Sequence, residues 1–162
     1  MSYFLEQLRK FKDDRGMMAN LRCVFVDSKK HRAWPVLSRL GIKIDDPVLP
    51  YVAGLYATYS EETVTGNFGV TCKHIEMKRN DNSSDDKKLT PTERRFQHLL
   101  ASERGKELID RVLRMILLAK AQGVAVNYGQ LATDMKFWGD RTKNDWAKKF
   151  WSQSESLEEE AS

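Results

Sequence analysis

The sequence predicts an all-α fold, in which two small helical bundles with about eight helices form one compact protein. Three observations support this prediction. Apolar residues recur three and four positions apart through most of the 162 residues, residues that cap or end helices stand between these stretches, and no segment alternates apolar and polar residues as a strand would. Because 41% of the residues are hydrophobic, the chain can bury a substantial core.

Two short amphipathic helices are predicted at the start of the chain. The first carries apolar residues at Leu5, Leu8 and Phe11. After a break at Arg15-Gly16, a second set recurs at the i, i+4, i+7 and i+8 spacing of one helix face, namely Met17, Leu21, Val24 and Phe25.

Two prolines predict where the next helices begin. Proline fits only the first turn of a helix, so Pro35 places a helix start near Trp34. This helix is expected to end at Gly41 and to bury Trp34, Leu37 and Leu40. Asp46 followed by Pro47 is typical of an N-cap and a first helical position. The helix that follows is expected to contain Val52, Leu55, Tyr56 and Tyr59.

The helical periodicity lapses between about Glu61 and Leu89. The run 80–88 contains no apolar residue and is expected to be mobile. Order returns at Thr90-Pro91-Thr92-Glu93, a capping box with proline just inside the helix start. We therefore predict an N-terminal bundle over 1–60, a partly mobile connecting loop over 61–91, a C-terminal bundle over 92–151 and a disordered acidic tail over 152–162.

The C-terminal bundle is expected to contain three further helices after the capping-box helix. A long helix from about Glu103 to Ala121 ends at Gly123, and its apolar stripe comprises Leu108, Ile109, Val112, Leu113, Ile116 and Leu117. Asn127 and Gln130 predict the start of the next helix, which contains Leu131, Met135 and Trp138. Gly139-Asp140 ends that helix, and the last one is anchored by Trp146 and Phe150.

Several classes of protein are excluded by composition and spacing. No stretch approaches the roughly 20 apolar residues of a membrane helix, and residues 1–11 lack the apolar segment of a signal peptide, so we expect a soluble cytoplasmic protein. Cys23 and Cys72 form no disulfide framework and are expected to be reduced. The adjacent carboxylates and the Cys72-x-His74 spacing match neither a metal nuclease nor a zinc site. We expect no catalytic site, no metal and no cofactor.

Basic residues are concentrated in parts of the chain. The net charge is +4, but the last eleven residues carry four acidic and no basic side chains, so the chain without them would carry +8. Arginine presents a planar fork to phosphate oxygens, and these contacts position a protein on nucleic acid without reading its sequence. The residues predicted to bind phosphates are Arg15, Arg22, Arg32, Arg39, Arg94, Arg95, Arg104, Arg114 and Arg141.

Helical spacing indicates how these arginines are displayed. Arg104, Arg111 and Arg114 are predicted opposite the apolar stripe of the long helix. The alternative interpretation is that Glu107 and Asp110, each four residues earlier, form surface ion pairs with Arg111 and Arg114. The pairs Arg15 with Arg22 and Arg32 with Arg39 each share a seven-residue spacing, which places both members on one side of a helix.

The aromatic residues are interpreted mainly as core. Trp34, Trp138, Trp146, Phe96, Phe137 and Phe150 fall on apolar stripes, as expected for packing rather than for base stacking. Trp151 lies off the axis of Trp146 and Phe150 and is the best candidate for an exposed contact.

Several short motifs together resemble the CasB family, the small subunit of the type I-E Cascade CRISPR surveillance complex. In the first half these are Asp14-Arg15-Gly16, Ala19-Asn20-Leu21-Arg22 and Arg32-Ala33-Trp34-Pro35 with Leu40-Gly41-Ile42. In the second half they are Glu93-Arg94-Arg95-Phe96, Asn127-Tyr128-Gly129-Gln130-Leu131-Ala132 and Phe137-Trp138-Gly139-Asp140-Arg141. The resemblance spans roughly residues 13–151 and depends on the order and spacing of the motifs.

The resemblance implies a two-bundle helical protein that has no catalytic activity and is present as a pair of copies beside the other Cascade subunits, the guide RNA and the target DNA. In the family a basic surface supports the strands of the R-loop, and backbone contacts can stabilise that nearly balanced structure. The family's basic positions match Arg22, Arg95, Arg114 and Arg141, with Arg94 and Arg104 as supporting candidates. Cys23 and Asp140 depart from the family pattern, since a basic residue commonly occurs at these places.

Three other functions are compatible with the sequence. A helix-turn-helix DNA-binding regulator would use residues 127–132 to open its first helix and 141–151 as its recognition helix. A structural scaffold would direct its arginines to acidic protein surfaces. A nuclease is the least favoured, because it would need a metal-binding group of carboxylates.

Overall fold

The computed structural model describes residues 2–79 and 88–152, and within these ranges the protein is helical apart from turns, loops and one isolated backbone bridge. Nine α-helices lie in these ranges: α1 Ser2–Lys10, α2 Arg15–Arg22, α3 Trp34–Arg39, α4 Leu49–Thr58, α5 Phe68–Arg79, α6 Pro91–Leu100, α7 Lys106–Gln122, α8 Tyr128–Lys136 and α9 Asp140–Phe150. Short 3₁₀ helices at Cys23–Phe25 and Lys30–Ala33 connect α2 to α3. The predicted all-α fold class is confirmed.

A single cluster of buried apolar side chains receives residues from all nine helices of the described ranges. Helix α4 packs against α2, α7 and α8, and residues 52–56 are all buried although they face in different directions around the helix. A helix that is apolar on every face is typical of the centre of a protein. Helix α4 therefore joins the N-terminal helices to the C-terminal ones.

The predicted connecting loop over 61–91 is wrong for Phe68–Arg79, which form α5. This helix packs against α6, α7 and α9, and its buried residues lie on more than one face: Phe68, Gly69, Thr71, Cys72, Ile75 and Glu76. An amphipathic period arises only when one face is solvated, so a helix enclosed by three others shows no clear stripe in its sequence.

Two helices begin at residues other than those predicted, for local reasons. Helix α2 begins at Arg15, where a break was expected, because the Asp14 carboxylate accepts a hydrogen bond from the Met17 amide at 3.1 Å and acts as its N-cap. Helix α7 begins at Lys106 rather than near Glu103. Arg104 consequently lies in the turn before α7 and not on the helix.

Asp46 caps α4 from outside the helix. Its Oδ1 accepts hydrogen bonds from the amides of Val48 at 2.9 Å and Leu49 at 2.8 Å, and Leu49 is the first residue of α4. The predicted start directly after Asp46 is therefore too early, although the predicted capping side chain is the one that satisfies the first amides.

Other predicted helix ends are confirmed. The Thr90 hydroxyl accepts from the Glu93 amide and the Glu93 carboxylate accepts from the Thr90 amide, both at 3.1 Å, which completes the capping box of α6. The Asn127 side chain accepts from the Gln130 amide at 3.2 Å, as expected for an N-cap. Gly123 ends α7 in the left-handed region, with φ of 70°.

The segment before α5 contacts both α1 and the loop between α7 and α8. The amide of Thr63 donates to the Val126 carbonyl at 3.0 Å and the amide of Val126 donates to the Glu61 carbonyl at 2.9 Å, which forms the isolated bridge. Arg9 of α1 donates from Nε and NH2 to the two carboxylate oxygens of Glu62, each at 2.9 Å. Helix α1 also packs against α8.

Parts of the predicted domain organisation lie outside the described residues. These include nearly all of the run expected to be mobile and the acidic tail beyond Ser152. The division into an N-terminal bundle over 1–60 and a C-terminal bundle over 92–151 stays a prediction. No helix of the ranges 2–79 and 88–152 is long and apolar enough to span a membrane.

Candidate nucleic-acid interface

The nine predicted arginines are all exposed, but they fall into two groups. Three are engaged in contacts with the fold: Arg22, Arg39 and Arg104. The other six make no hydrogen bond or ion pair within the described part of the chain: Arg15, Arg32, Arg94, Arg95, Arg114 and Arg141. A guanidinium without an internal partner keeps all of its donors available to an external anion.

Among residues 2–79 and 88–152, Arg114 has no ion-pair partner, because the acidic residue before it pairs elsewhere on α7. Asp110, expected four residues before Arg114 as its partner, instead lies 3.4 Å from Lys106. The other expected pair is present, with Arg111 NH1 3.2 Å from Glu107 Oε1. Arg111 also donates to the His98 carbonyl near the end of α6, so it serves to join α6 to α7.

Arg94 and Arg95 lie on the exposed side of α6, next to the buried ring of Phe96. That ring stacks on Phe150 of α9 with centroids 4.2 Å apart. The indole of Trp151 packs edge-on against Phe96 and donates to Glu93 Oε2 at 3.1 Å. The N-terminal half of α6, which carries both arginines, is therefore held against the end of α9.

Arg104 has a structural role in the turn between α8 and α9. Its NH1 donates to the Lys136 carbonyl at 2.9 Å and its NH2 donates to the Trp138 carbonyl at 2.7 Å. The expectation that Arg104 lies on the long helix with its guanidinium directed to solvent is corrected by these two bonds. Arg141, in the first turn of α9, is exposed and keeps its donors available.

The N-terminal arginines divide in the same way. Arg22 NH1 donates to the Ala57 carbonyl near the end of α4 at 2.9 Å, where α4 has carbonyls without helical partners. Arg39 NH1 lies 4.0 Å from the Met17 sulfur, which places Arg39 against α2. Arg15 and Arg32 extend to solvent. Helix α2 packs against α3, and α6 packs against α7.

Four of the six aromatic residues predicted to pack in the core are buried. Trp138, Trp146, Phe96 and Phe150 are 5% exposed or less. The predictions for Trp34 and Phe137 are wrong, since these side chains are 40% and 65% exposed. Trp151 is 42% exposed, as its position off the helix axis indicated. Phe137 follows the last residue of α8, where the helical wheel no longer describes the direction of a side chain.

A polar groove of about 590 Å³ lies between residues 64–67 and the helices α8 and α9. It contains carboxylates and lysines, including Asp134, Asp145 and Lys148. Asp134 accepts from Trp146 Nε1 at 2.7 Å and from Gln130 Nε2 at 2.9 Å. Burial raises the pKa of Asp134, and these two hydrogen bonds offset part of that rise.

No three histidine, cysteine, aspartate or glutamate side chains of residues 2–79 and 88–152 are grouped to hold a metal ion. Burial raises the pKa of Cys72 well above its ordinary value, which keeps this thiol protonated. Burial also lowers the pKa of His74, with a smaller contribution from Lys78.

A comparison with protein families decides which family the chain belongs to. Residues 18–151 match the family model for the CRISPR-associated protein Cse2. The chain belongs to the Cse2 family. The match includes eight of the nine predicted arginines, all except Arg15, and the resemblance to CasB inferred from the motifs is confirmed.

Solved structures share the fold of this Cse2-family protein. CasB from M. ruber has 19% sequence identity and a TM-score of 0.68, and the alignment covers 98% of this chain and 96% of that one. CasB from Thermus thermophilus has 17% identity and a TM-score of 0.67 over 91% of this chain and 95% of that one. A second structure from Thermus thermophilus, a CRISPR-associated protein of the Cse2 family, has 16% identity and a TM-score of 0.69, with the same coverage. No curated protein matches the sequence.

Proposed function

We propose that this Cse2-family subunit of Cascade is non-catalytic and stabilises the R-loop by sequence-independent contacts between its arginines and nucleic-acid phosphates. Its partners in this proposal are the other Cascade subunits with the guide RNA and the target DNA, and a second copy of itself. Membership of the family supports the role in a CRISPR-associated Cascade complex. The assignment to phosphate binding depends on the arginines.

The observation that carries the proposal is the set of six predicted arginines that have no internal partner among residues 2–79 and 88–152. An arginine that stabilises the fold is expected to donate to a carbonyl or a carboxylate, as Arg22, Arg104 and Arg111 do. Asp110 lies one helical turn before Arg114, yet it pairs with Lys106. The remaining guanidinium groups are therefore suited to anions outside the chain.

Phosphate binding explains how a non-catalytic subunit stabilises an R-loop. Exchange of a DNA duplex for an RNA–DNA heteroduplex is nearly balanced in free energy, so modest contacts to the strands shift it. Each arginine that neutralises a phosphate releases counterions, and the contact does not depend on the base. Exposed arginines on helices that pack together, such as α6 and α7, fix the positions of such contacts.

The test replaces Arg95 and Arg114 by alanine in the assembled complex. Both residues are exposed and make no hydrogen bond or ion pair with any described residue, so Arg95→Ala with Arg114→Ala should leave the helical content unchanged. Retention of target DNA should weaken, and the slope of log affinity against log salt concentration should become shallower by about 1 to 2 units. Circular dichroism measures the first effect, and filter binding at several salt concentrations measures the second.

A matched control removes two positive charges from other elements. Lys12 follows α1 and Lys43 follows α3, and both are exposed. Lys12→Ala with Lys43→Ala changes the net charge equally, so it reports the effect of charge alone. Equal DNA retention by the wild-type complex and the Arg95/Arg114 variant at physiological salt would overturn the proposal.

The alternative functions give different results in the same experiment. A helix-turn-helix regulator would bind one defined duplex sequence as a dimer, with α9 as the recognition helix. In the structure α9 packs against α5 and buries Trp146 and Phe150, so only its outer side could enter a groove. A scaffold would assemble with the other subunits and show no affinity for nucleic acid.

A further inference from the structure

The ring of Phe137 is the most exposed aromatic side chain among the described residues, at 65% of its surface. It lies in the turn between α8 and α9, next to Trp138, which is only 5% exposed. A phenylalanine ring has no polar atom that water can satisfy, so its exposure is unfavourable unless something covers it. The two neighbouring aromatic residues therefore face opposite environments.

The backbone around Phe137 is fixed by side chains from other segments. Arg104 donates to the carbonyls on both sides of Phe137, those of Lys136 at 2.9 Å and Trp138 at 2.7 Å. The Phe137 carbonyl accepts from the Thr142 hydroxyl at 3.1 Å. The exposed ring is thus attached to an ordered turn, and little conformational entropy remains to be lost when a ligand covers it.

One lysine lies against this ring, and two further basic residues follow it in α9. Lys136 Nζ lies 5.8 Å from the centroid of Phe137, and Lys143 Nζ lies 5.6 Å from the centroid of Trp138. Arg141, four positions after Phe137, is exposed and makes no hydrogen bond or ion pair with any described residue. Asp140 is the acidic residue of this turn.

We propose that Phe137 is a stacking platform for an unpaired nucleobase, with Lys136 and Arg141 contacting the phosphates on either side of that nucleotide. This inference rests on the proposed function and names the form of nucleic acid that the turn between α8 and α9 would bind. A base within a duplex cannot present its face to a side chain, so the ligand is a single strand. Stacking on an aromatic ring accepts every base, which agrees with binding that is independent of sequence.

A protein partner fits these surroundings less well. The centre of a protein–protein interface is depleted in lysine, whereas Phe137 has Lys136 beside it and Lys143 in the next helix. Nucleic-acid grooves that bind single strands combine stacking rings with cations, which is the combination found at this turn. If the ring instead contacts a protein, the experiment below gives a different result.

The experiment measures binding of the full chain to a single-stranded oligonucleotide that contains 2-aminopurine. In Phe137→Ala the affinity should fall by about fivefold to a hundredfold, the range that loss of one stacked base produces, and the quenching of 2-aminopurine emission should decrease. Phe137→Trp keeps an aromatic face and should retain both. Tyr3→Ala is the matched control, because Tyr3 of α1 is 61% exposed and should change neither.

Two further measurements separate stacking from charge. The salt slope should be the same for the wild type and for Phe137→Ala, because a phenylalanine releases no counterions, whereas Lys136→Ala with Arg141→Ala should make it shallower. An oligonucleotide in which every base is removed should bind the wild type and Phe137→Ala equally. Parallel DNA and RNA oligonucleotides of the same length identify which single strand the platform prefers.

Each contrary result has a defined meaning. If the wild type binds single strands and Phe137→Ala binds them equally well, the stacking platform is wrong while the proposed function stands. If Phe137→Ala binds oligonucleotides as the wild type does but fails to assemble with the other Cascade subunits, the ring contacts protein and the inference is overturned. If the wild type binds no nucleic acid, either alone or in the assembled complex, both the inference and the proposed function are wrong.

Discussion

The guanidinium of Arg104 reaches the turn between α8 and α9 from the turn before α7, and Arg141 lies in the first turn of α9, but the two arginines have different surroundings. The guanidinium of Arg104 donates to two backbone carbonyls, and that of Arg141 has no bond within the described residues. The sequence predicted that both would bind phosphates, and only the structure distinguishes them. The carbonyl partners of Arg104 lie 32 and 34 residues further along the chain, a separation at which helical spacing gives no information.

Asp134 gives a test of stability against pH. Burial raises its pKa in the folded protein, so the folded state binds the proton more tightly than the unfolded state. The stability contributed by this group is complete below the unfolded pKa, about 3.9, and is lost as the pH rises through the folded pKa. Asparagine does not titrate in this range. The free energy of unfolding of the wild type relative to Asp134→Asn should therefore decrease from about pH 3.5 to pH 7.

Urea denaturation of both proteins at several pH values measures this difference. Asp45→Asn is the control, because it removes a carboxylate from an exposed position in the turn before α4. A difference between the wild type and Asp134→Asn that does not change with pH would contradict the assignment of a raised pKa to this carboxylate.

At the scale of helices, the crossing of α5 and α9 depends on one glycine. A Cβ atom added to Gly69 would overlap the backbone carbonyl oxygen of Trp146 and lie 2.8 Å from the carbonyl carbon, so the two helices can approach this closely only with glycine at that position. Gly69 lies inside α5, where the lack of a side chain admits α9.

Gly69→Ala should destabilise the protein by about 1–3 kcal/mol, because the gain in helix propensity is smaller than the cost of forcing α5 and α9 apart. Gly16→Ala is the matched control. Gly16 also lies within a helix, but the nearest atom to an added Cβ is Asp14 Oδ1 at 3.6 Å, so alanine should stabilise the protein by up to about 1 kcal/mol. Thermal unfolding of both variants measures the two effects, and equal shifts would be inconsistent with a close crossing.

The helices that were predicted well are those with one solvated face and a local cap. Helix α6 has its capping box and its apolar residues Phe96 and Leu99 on one side, so sequence and structure agree. A predicted helix start differs from the observed one where the capping side chain lies outside the helix, as Asp46 does at α4. The pairing of Asp110 with Lys106 rather than Arg114 also could not be predicted. Both basic residues lie four positions from Asp110, and the helical preference for an acidic residue before a basic one favours Arg114.

At the scale of the whole molecule, charge is separated along the sequence. The last ten residues carry four glutamates and no basic residue, so deletion of 153–162 raises the net charge from +4 to +8. We expect this deletion to strengthen binding to a single-stranded oligonucleotide several-fold at low salt, because the lost glutamates no longer repel the phosphates. The effect should be small at high salt, where such repulsion is screened.

A variant of unchanged length tests whether charge alone is responsible. Replacing Glu155, Glu158, Glu159 and Glu160 by glutamine removes the same four negative charges. Fluorescence anisotropy at several salt concentrations should give the same affinities for this variant and for the deletion. If neither change alters the affinity, the acidic segment does not act on the basic surface.

The contact of α1 with α8 has a consequence for how the protein is made. Leu5 of α1 lies near Gly129 of α8, so the first helix packs on a helix that is synthesised much later. On the ribosome, α1 therefore lacks this neighbour until residues 128–136 have left the exit tunnel. Docking of α1 on α8 should consequently follow the packing of α2 against α4 during co-translational folding.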